Sequence, residues 1–146
     1  MKVTPYLSFE GRCEEALDFY RRALGAQVNL LMRYKDNPEP AAGAGCGEGA
    51  GSGPTPEMVM HASFTVGETQ LMATDGMGAG QGGFQGISLS LSPASEAEAQ
   101  RVFDALAGDG GQARMPLAKT FFSPAFGMVT DRFGVSWLVV VPAPMP

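Results

Sequence analysis

The chain is poor in the residues that usually bind metals or cross-link small proteins. Its 146 residues include one histidine, His61, and two cysteines, Cys13 and Cys46. A single histidine excludes a two-histidine metal site within one chain. The cysteines lie far apart without CxxC spacing, so neither a zinc ribbon nor a disulfide framework is predicted.

Strong positive charge and long apolar runs are also missing. There are 10 Lys and Arg against 15 Asp and Glu, and the net charge of −5 makes nucleic acid an unexpected partner. No run of about 18 apolar residues occurs, so no membrane partner is expected. The first residues, MKVTPYLSF, lack the apolar stretch and cleavage site of a signal peptide. These features favour a cytoplasmic protein.

Apolar residues make up 45% of the chain, which is enough for a core, and the length suits one compact domain. The predicted elements of the first half are a strand over Val3–Phe9, a helix over Arg12–Leu24, and strands over Gln27–Tyr34, Met58–Val66 and Thr69–Thr74. Those of the second half are a strand over Ile87–Leu91, a helix over Ser95–Ala107, and strands over Gln112–Met115, Ala125–Thr130 and Val135–Val141. The same order therefore occurs twice, which indicates an internal duplication.

The predicted fold is a single α+β domain, 1–146, built from two βαβββ modules at about 1–75 and 86–142. We expect the modules to form a cupped mixed sheet with the helices on its outer face. Between the second and third strands, Asn37–Pro56 is rich in Gly and Pro and has almost no large apolar side chain. Such a segment is predicted to be a mobile loop.

Local signals define several element ends. Gly25 and Gly108 are predicted to stop the two helices, and Ser95-x-x-Glu98 is a capping box. Gly67-Glu68 fits a type II′ turn between the third and fourth strands. This turn fixes a register that pairs Thr65 with Gln70, Ser63 with Met72, and His61 with Thr74.

Alternation along the strands predicts two faces of the sheet. One face carries mainly apolar residues and is expected to take the helices. Its members are Pro5, Leu7, Phe9, Ala62, Phe64, Val66, Leu71, Ala73, Ile87, Leu89 and Leu91. The other face is mixed and becomes a pocket if the sheet curls. Its members are Thr4, Tyr6, Ser8, His61, Ser63, Thr65, Gln70, Met72, Thr74, Ser88 and Ser90.

Several spaced motifs carry a resemblance to a known family. YLSFEGRCEEALDFYRRALGA, HASFTVGETQLMATD, MPLAKTFFSPAFG and FGMVTDRFGVSWLVV resemble the PhnB-like group of the vicinal-oxygen-chelate superfamily, which includes glyoxalases, bleomycin-resistance proteins and dioxygenases. The resemblance covers nearly the whole chain except the Gly-rich loop and the tail. It implies paired βαβββ modules and a homodimer, but the fold hosts many functions.

The resemblance also implies where a metal would be bound. Metal-dependent members carry one His, Glu or Gln ligand on the first and the last strand of each module. By alignment these positions are Thr4, Met72, Gly86 and Leu138. A slip of one or two residues reaches Tyr6 and Ser88. Neither set suits Zn²⁺ or Fe²⁺, so the prediction is a protein without a metal or other cofactor, and a divalent metal is the alternative.

His61 is the main candidate for catalysis, because imidazole serves as a general acid or base. The alternative is a sheet histidine that is hydrogen-bonded to Thr74 or to backbone. Asp75 either orients His61 or caps a turn. Cys13 begins a helix, where a thiolate is stabilised, but an inert buried thiol is favoured.

Other residues have structural interpretations. Asp131 and Gly134 fit a tight turn, and Trp137 shares the parity of buried valines, which favours a core position. Met32, Tyr34, Phe121 and Phe122 either line the mouth of the cavity or simply pack.

Two functions follow as hypotheses. The first is a metal-free protein that binds a small organic molecule. The second is an isomerase, transferase or dioxygenase-like enzyme that uses His61 as acid or base, or in an atypical metal site with Asp75 or a partner-subunit carboxylate. Resembling proteins are also described as demethylubiquinone methyltransferases or linked to phosphonates. The sequence has no Gly-rich strand-helix turn for a nucleotide-like methyl donor, and the predicted pocket has no clear Arg or Lys for a phosphonate.

Overall fold

A computed structural model describes residues 1–37, 54–76 and 83–143 of the chain. The chain divides into two compact units, residues 1–82 and 83–146, which are called the first and second modules below. The predicted mobile loop falls mostly on residues 38–53, outside the described residues, and Cys46 lies there too. No helix in the described ranges is long and apolar enough to cross a membrane.

The first module is a four-stranded sheet with one long helix. Its elements are β1 (Tyr6–Ser8), α1 (Cys13–Leu24), β2 (Gln27–Arg33), a short 3₁₀ turn (Tyr34–Asp36), β3 (Val59–Val66) and β4 (Thr69–Thr74). The strand order is β1-β4-β3-β2. β1 runs parallel to β4, and the other neighbours are antiparallel.

The second module has the same order of elements. They are β5 (Ser88–Leu91), α2 (Glu96–Ala107), β6 (Gln112–Ala118), β7 (Phe126–Thr130) and β8 (Ser136–Val140). The strand order is β5-β8-β7-β6, and β5 is parallel to β8. The predicted α+β class with two βαβββ modules is confirmed.

The core of the first module lies between α1 and one face of its sheet. The apolar stripe of α1 is buried, as its spacing near 3.6 residues predicts, and comprises Ala16, Leu17, Phe19, Tyr20 and Ala23. Tyr20 stacks on Phe64 of β3 with ring centroids 6.1 Å apart and planes 7° apart. Burying a side chain the size of Phe64 contributes about 2 kcal/mol.

The core of the second module follows the same plan. Val102, Phe103 and Leu106 of α2 are buried, and so are Trp137 and Val139 of β8. The predicted core position of Trp137 is confirmed. Phe103 passes very close to β7, because a Cβ at Gly127 would lie only 2.8 Å from its ring. Only glycine allows this approach.

The ends of the first strands differ from the prediction. β1 begins at Tyr6 rather than Val3, and Val3 is exposed. Pro5 has no N–H to donate, which limits pairing before Tyr6. β5 begins at Ser88, so the assignment of Ile87 to the apolar face is wrong, and its side chain is 72% exposed. Apolar alternation alone does not show where pairing ends.

The hairpin between β3 and β4 matches the predicted register. Thr65 pairs with Gln70 and Ser63 pairs with Met72. Gly67 has φ +59°, as a type II′ turn requires at its first central residue. The turn therefore determines which residues share a face in these two strands.

The two predicted helix stops behave differently. Gly25 adopts the left-handed conformation, with φ 69° and ψ 27°, and its N–H bonds the carbonyl of Arg21. Gly108 also follows the last helical residue, as predicted, but it has φ −75° and ψ 170°, so it ends α2 without the left-handed conformation. The positive φ values fall on the next two residues, Asp109 and Gly110.

This difference predicts opposite responses to alanine. Gly25→Ala is expected to reduce the free energy of unfolding by about 1 kcal/mol, because a side chain is strained at positive φ even in open space. Gly108→Ala is expected to be neutral or stabilising by about 0.5 kcal/mol. Urea unfolding of both variants checks the pair, and equal losses would contradict the assignment.

Candidate functional site

The face of the first module's sheet that is turned away from α1 carries the predicted pocket residues. We call it the helix-free face and define it by two rows across the four strands. One row comprises Ser8 of β1, Thr74 of β4, His61 of β3 and Met32 of β2. The next row comprises Tyr6, Met72, Ser63 and Leu30. The observed β3–β4 register ends at the pair of Ala62 with Ala73, and His61 and Thr74, which the turn predicts as a pair, are the next residues along the two strands.

Within this face Tyr6 and His61 form a pair that spans β4. The Tyr6 hydroxyl lies 3.1 Å from His61 Nδ1, and the ring centroids are 5.7 Å apart. Tyr6 is 49% exposed and His61 is half-buried. Burial raises the pKa of Tyr6 above its ordinary value, so the phenol stays protonated near neutral pH. The pair therefore presents a neutral hydroxyl and an imidazole side by side.

The partner of His61 is thus neither of those considered from sequence. Thr74 Oγ1 donates to backbone carbonyls of β3, at 2.8 Å from Met60 O, and accepts from Gly76 N at 3.0 Å. It holds the start of β3 and the turn after β4 together. The described residues show no second hydrogen-bond partner for His61, so its Nε2 is left for a ligand or water.

Asp75 does not orient His61, and this possibility from the sequence is wrong. Its Oδ1 accepts from the backbone N–H of Cys13 at 2.7 Å, and its Oδ2 accepts from that of Val59 at 2.7 Å. The carboxylate is 4% exposed. It joins the first turn of α1, which attracts negative charge, to the start of β3.

Cys13 is a buried thiol, as favoured from the sequence. It is fully buried, and its pKa is raised to about 12, first by burial and then by the negative charges of Asp75 and Glu14. These effects outweigh the helix dipole. The thiol is therefore protonated at neutral pH and is a poor nucleophile.

A polar cluster lies at the end of β1 and was not predicted. Gly76, with φ +68°, is its centre. Tyr34 donates its hydroxyl proton to Gly76 O at 2.9 Å, and Ser8 Oγ donates to Glu10 Oε1 at 2.7 Å. A Cβ at Gly76 would lie within 2.7 Å of Ser8 Oγ and 2.8 Å of Glu10 Oε1. Glycine thus permits close contact between these groups.

Two other residues that were predicted to line the pocket are less well placed to contact a ligand. Ser63 lies on the helix-free face but is 6% exposed, and its hydroxyl accepts from Gln70 Nε2 at 2.7 Å. Thr4 is half-exposed and precedes β1 by two residues. Neither is placed as well as Tyr6 or His61 to meet a ligand.

The residues of the second module that were predicted to line the pocket contact other residues of that module. Ser88 Oγ lies 2.8 Å from Ser136 Oγ, and Leu138 is half-buried opposite Ser90. Phe121 is fully exposed and stacks edge-on against Phe122, which is 45% exposed.

Asp131 forms the tight turn that the sequence predicts. Its Oδ1 accepts from the amides of Phe133 and Val135, and its Oδ2 accepts from Trp137 Nε1 at 2.9 Å. Gly134 has φ +90°. The motif is structural within this module.

One concavity of about 350 Å³ lies on the opposite, helix side of the first module. Its lining residues are Glu14, Glu15, Leu17, Asp18, Arg21, Val28 and Leu31. Arg33 donates to both oxygens of Glu14, at 3.1 and 2.8 Å, and this hydrogen bonding lowers the pKa of Glu14. The carboxylates of the rim are engaged by arginines, which leaves them poorly suited to hold a ligand.

In each module, the register of the first strand against the last strand shows which residues lie side by side at the predicted metal positions. The resemblance placed one ligand position at Thr4, but the β1 residue in register with Met72 is Tyr6. In the second module it placed one at Gly86, but the β5 residue in register with Leu138 is Ser90. The registers therefore place Tyr6 and Ser90, rather than Thr4 and Gly86, beside the last-strand positions.

Taken module by module, these in-register positions do not fit a divalent metal. Tyr6, Met72, Ser90 and Leu138 offer a protonated phenol, a thioether, a hydroxyl and an aliphatic side chain, whereas Zn²⁺ and Fe²⁺ take imidazole, carboxylate or thiolate. Across residues 1–37, 54–76 and 83–143, no group of three or more His, Cys, Asp or Glu could hold a metal ion. Both oxygens of Asp75, the candidate co-ligand of His61, accept hydrogen bonds from backbone amides.

A comparison with protein families decides the assignment. The model of the 3-demethylubiquinone-9 3-methyltransferase family matches residues 1–140. The chain belongs to this family. It is a PhnB-like member of the vicinal-oxygen-chelate superfamily, as its motifs indicated.

Individual relatives match the chain over nearly its whole length. The chain is 32% identical over 146 residues to Protein YjdN of Escherichia coli strain K12, covering 100% of this chain and 99% of the relative. It is similar to the crystal structure of PA1353 from Pseudomonas aeruginosa, with 40% identity, a TM-score of 0.78 and coverage of 97% and 98%. A putative 3-demethylubiquinone-9 3-methyltransferase, PhnB protein, from Bacillus cereus has 31% identity, a TM-score of 0.75 and coverage of 97% and 99%.

A more distant structure shows the fold alone. A glyoxylase/bleomycin resistance protein/dioxygenase domain from Frankia has 14% identity, a TM-score of 0.64 and coverage of 98% of both chains.

Proposed function

We propose that this PhnB-like protein binds a small organic molecule on the helix-free face of the first module without a resident metal ion. The observation that supports it is the Tyr6–His61 pair, half-exposed beside Met72, Met32 and Leu30. A few polar groups set among apolar side chains are typical of small-molecule sites. A homodimer and a cytoplasmic location remain part of the proposal.

The side chains on this face define what a ligand would meet. The Tyr6 ring and the thioether of Met72 supply apolar contact, and the imidazole and phenol supply hydrogen bonds. His61 Nε2 is either a donor or an acceptor, depending on its tautomer. Such a set orients a flat or aromatic molecule that has one polar group.

The second candidate is an enzyme that uses His61 as general acid or base. The hydrogen bond of Tyr6 to Nδ1 favours it, because a fixed partner on one nitrogen orients the other toward a substrate. Tyr6 would then be a positioning residue. The methyl transfer in the family's description has less support, since the strand-to-helix turns Glu10–Gly11–Arg12 and Ser92–Pro93–Ala94 lack a Gly-rich nucleotide cradle.

The single histidine makes the test direct, because its imidazole resonances need no assignment. We expect a screen of small aromatic compounds to give ligands that shift these resonances in a saturable way and are recovered unchanged. Tyr6→Phe keeps the ring and should weaken such ligands by about threefold to tenfold. Thr69→Ala, which removes an exposed hydroxyl at the start of β4, is the control and should leave these affinities unchanged.

Elemental mass spectrometry of untagged protein, purified without chelator, completes the test. Metal well below one equivalent, not restored by added Zn²⁺, Ni²⁺ or Fe²⁺, is the expected result. About one metal per chain, lost in His61→Ala, would overturn the metal-free proposal. Conversion of a bound compound that stops in His61→Gln, while binding persists, would establish the enzyme instead.

A further inference from the structure

Glu10 is the unusual residue of the polar cluster. It has φ +48°, which side-chain-bearing residues rarely adopt, and Gly11 follows with φ +94°. This backbone brings the half-buried carboxylate back to Ser8, whose hydroxyl donates to it at 2.7 Å. Holding such a conformation costs stability, and strain of this kind concentrates at functional sites.

The charge of Glu10 is not neutralised within the described part of the first module. Arginine and lysine side chains near this end of the sheet pair with other carboxylates. These ion pairs are Arg12 with Glu15, Arg33 with Glu14, and Lys35 with Glu57. Among the described residues, the only hydrogen-bond partner of the Glu10 carboxylate is the neutral Ser8 hydroxyl.

Glu10 packs against Gly76, one residue after the buried Asp75. The Asp75 carboxylate lies on the helix side of the sheet and is held by two backbone amides, so the carboxylate that reaches the helix-free face, through Ser8, is that of Glu10. Both negative charges act on nearby groups. The effect reaches Tyr34, whose pKa is raised first by burial and then by Tyr6, Asp75 and Glu10. The Tyr34 phenol therefore stays neutral and adds no charge of its own.

The helix-free face that the Glu10 carboxylate reaches also carries the rings of Tyr6 and His61. Tyr6 and Ser8 are two residues apart on one strand face, about 7 Å, so the Tyr6 ring and the Ser8 hydroxyl that holds the Glu10 carboxylate share the helix-free face. A cation is attracted both to the faces of such rings and to a carboxylate. An anion would meet neither a free Lys nor a free Arg in this described cluster.

We propose that the site on the helix-free face selects an organic cation, such as a quaternary or protonated amine, over an anion, with Glu10 as the residue that determines this preference. The inference rests on the proposed function and narrows its ligand class. It also sets the site apart from a phosphonate-binding site, which needs clustered cationic or amide donors.

Three probes with the same ring test the charge preference. They are benzyltrimethylammonium, benzyl alcohol and benzylphosphonate, each titrated into the full chain while the His61 imidazole resonances are followed. We expect the ammonium to bind about tenfold more tightly than the phosphonate, with the alcohol between them. In Glu10→Gln this ratio should fall to about threefold or less, because the carboxylate is lost but the shape is kept.

Glu68→Gln is the matched control. Glu68 is exposed in the β3–β4 turn, and the substitution removes the same charge from the same module. The preference should survive in this variant. A phosphonate that binds as tightly as the ammonium, or a ratio unchanged in Glu10→Gln, would overturn the inference. Equal binding of all three probes would leave the proposed function standing, whereas no shift of His61 with any probe would overturn both.

Discussion

Asp131→Asn is expected to reduce the free energy of unfolding of the second module by about 3 kcal/mol. The side chain is 2% exposed and accepts from two backbone amides and from the indole N–H of Trp137. An asparagine amide turns one of these acceptors into a donor that faces another donor. Buried donors that lose their partner carry the full cost of desolvation.

The aromatic residues provide a separate signal for each module. Trp137 is the only tryptophan and lies in the second module, whereas the three tyrosines, Tyr6, Tyr20 and Tyr34, lie in the first. Urea unfolding of Asp131→Asn should therefore shift the tryptophan transition by about 1 to 2 M. Asp109→Asn is the control, since Asp109 is exposed and its left-handed backbone suits asparagine. Equal shifts in the two variants would disprove the structural role of Asp131.

Asp75→Asn should have an effect of similar size, about 3 kcal/mol, on the first module. Both Asp75 oxygens accept short hydrogen bonds from amides that come from distant parts of the chain, at Cys13 and Val59. Asparagine keeps one acceptor and places its NH₂ group against the other amide. A buried hydrogen bond to a charged group contributes about 1.5 to 3 kcal/mol.

Near-ultraviolet circular dichroism of the tyrosines during urea unfolding measures this loss. Asp18→Asn serves as the comparison, because Asp18 lies on the exposed side of α1 and its ion pairs with Arg21 and Arg22 contribute little. If the urea midpoint of Asp75→Asn lies within error of that of Asp18→Asn, the two hydrogen bonds of Asp75 do not stabilise the fold.

The sequence was most informative where the signal was local. The spacing of Leu17, Tyr20 and Leu24 predicted α1, and Gly67 with strict alternation predicted the register of β3 and β4. Each of these inferences depends on neighbours within a few residues. The same is true of the turn at Asp131, where acceptor and donors lie within six positions.

Contacts between distant residues were not predictable in this way. Tyr6 and His61 were both assigned to the pocket, but their hydrogen bond joins positions 55 apart and depends on how a large ring crosses β4. Asp75 follows His61 on the same hairpin, so proximity along the chain suggested a pair. The helix dipole and two buried amides instead draw its carboxylate to the other side of the sheet.

Glu10 shows a further limit of sequence reasoning. Nothing in the letters FEGR marks a glutamate with positive φ, because this conformation usually belongs to glycine, asparagine or aspartate. The adjacent Gly11 was the only available signal, and on its own it indicates merely a turn.

The pairing of β1 has a consequence for the order in which the first module is built. Among the described strands of the first module, β1 lies at the edge of the sheet beside β4, so Tyr6 has its strand partner 66 positions later, at Met72. The β3–β4 hairpin closes over two residues and forms on a microsecond timescale. β1 can pair only after β4, the last strand of the module, is in place. β1 is therefore synthesised before its partner strand but becomes ordered only after the β3–β4 hairpin has formed. The Tyr6–His61 pair forms only when β1 docks, so a complete helix-free face indicates that the first module has finished folding.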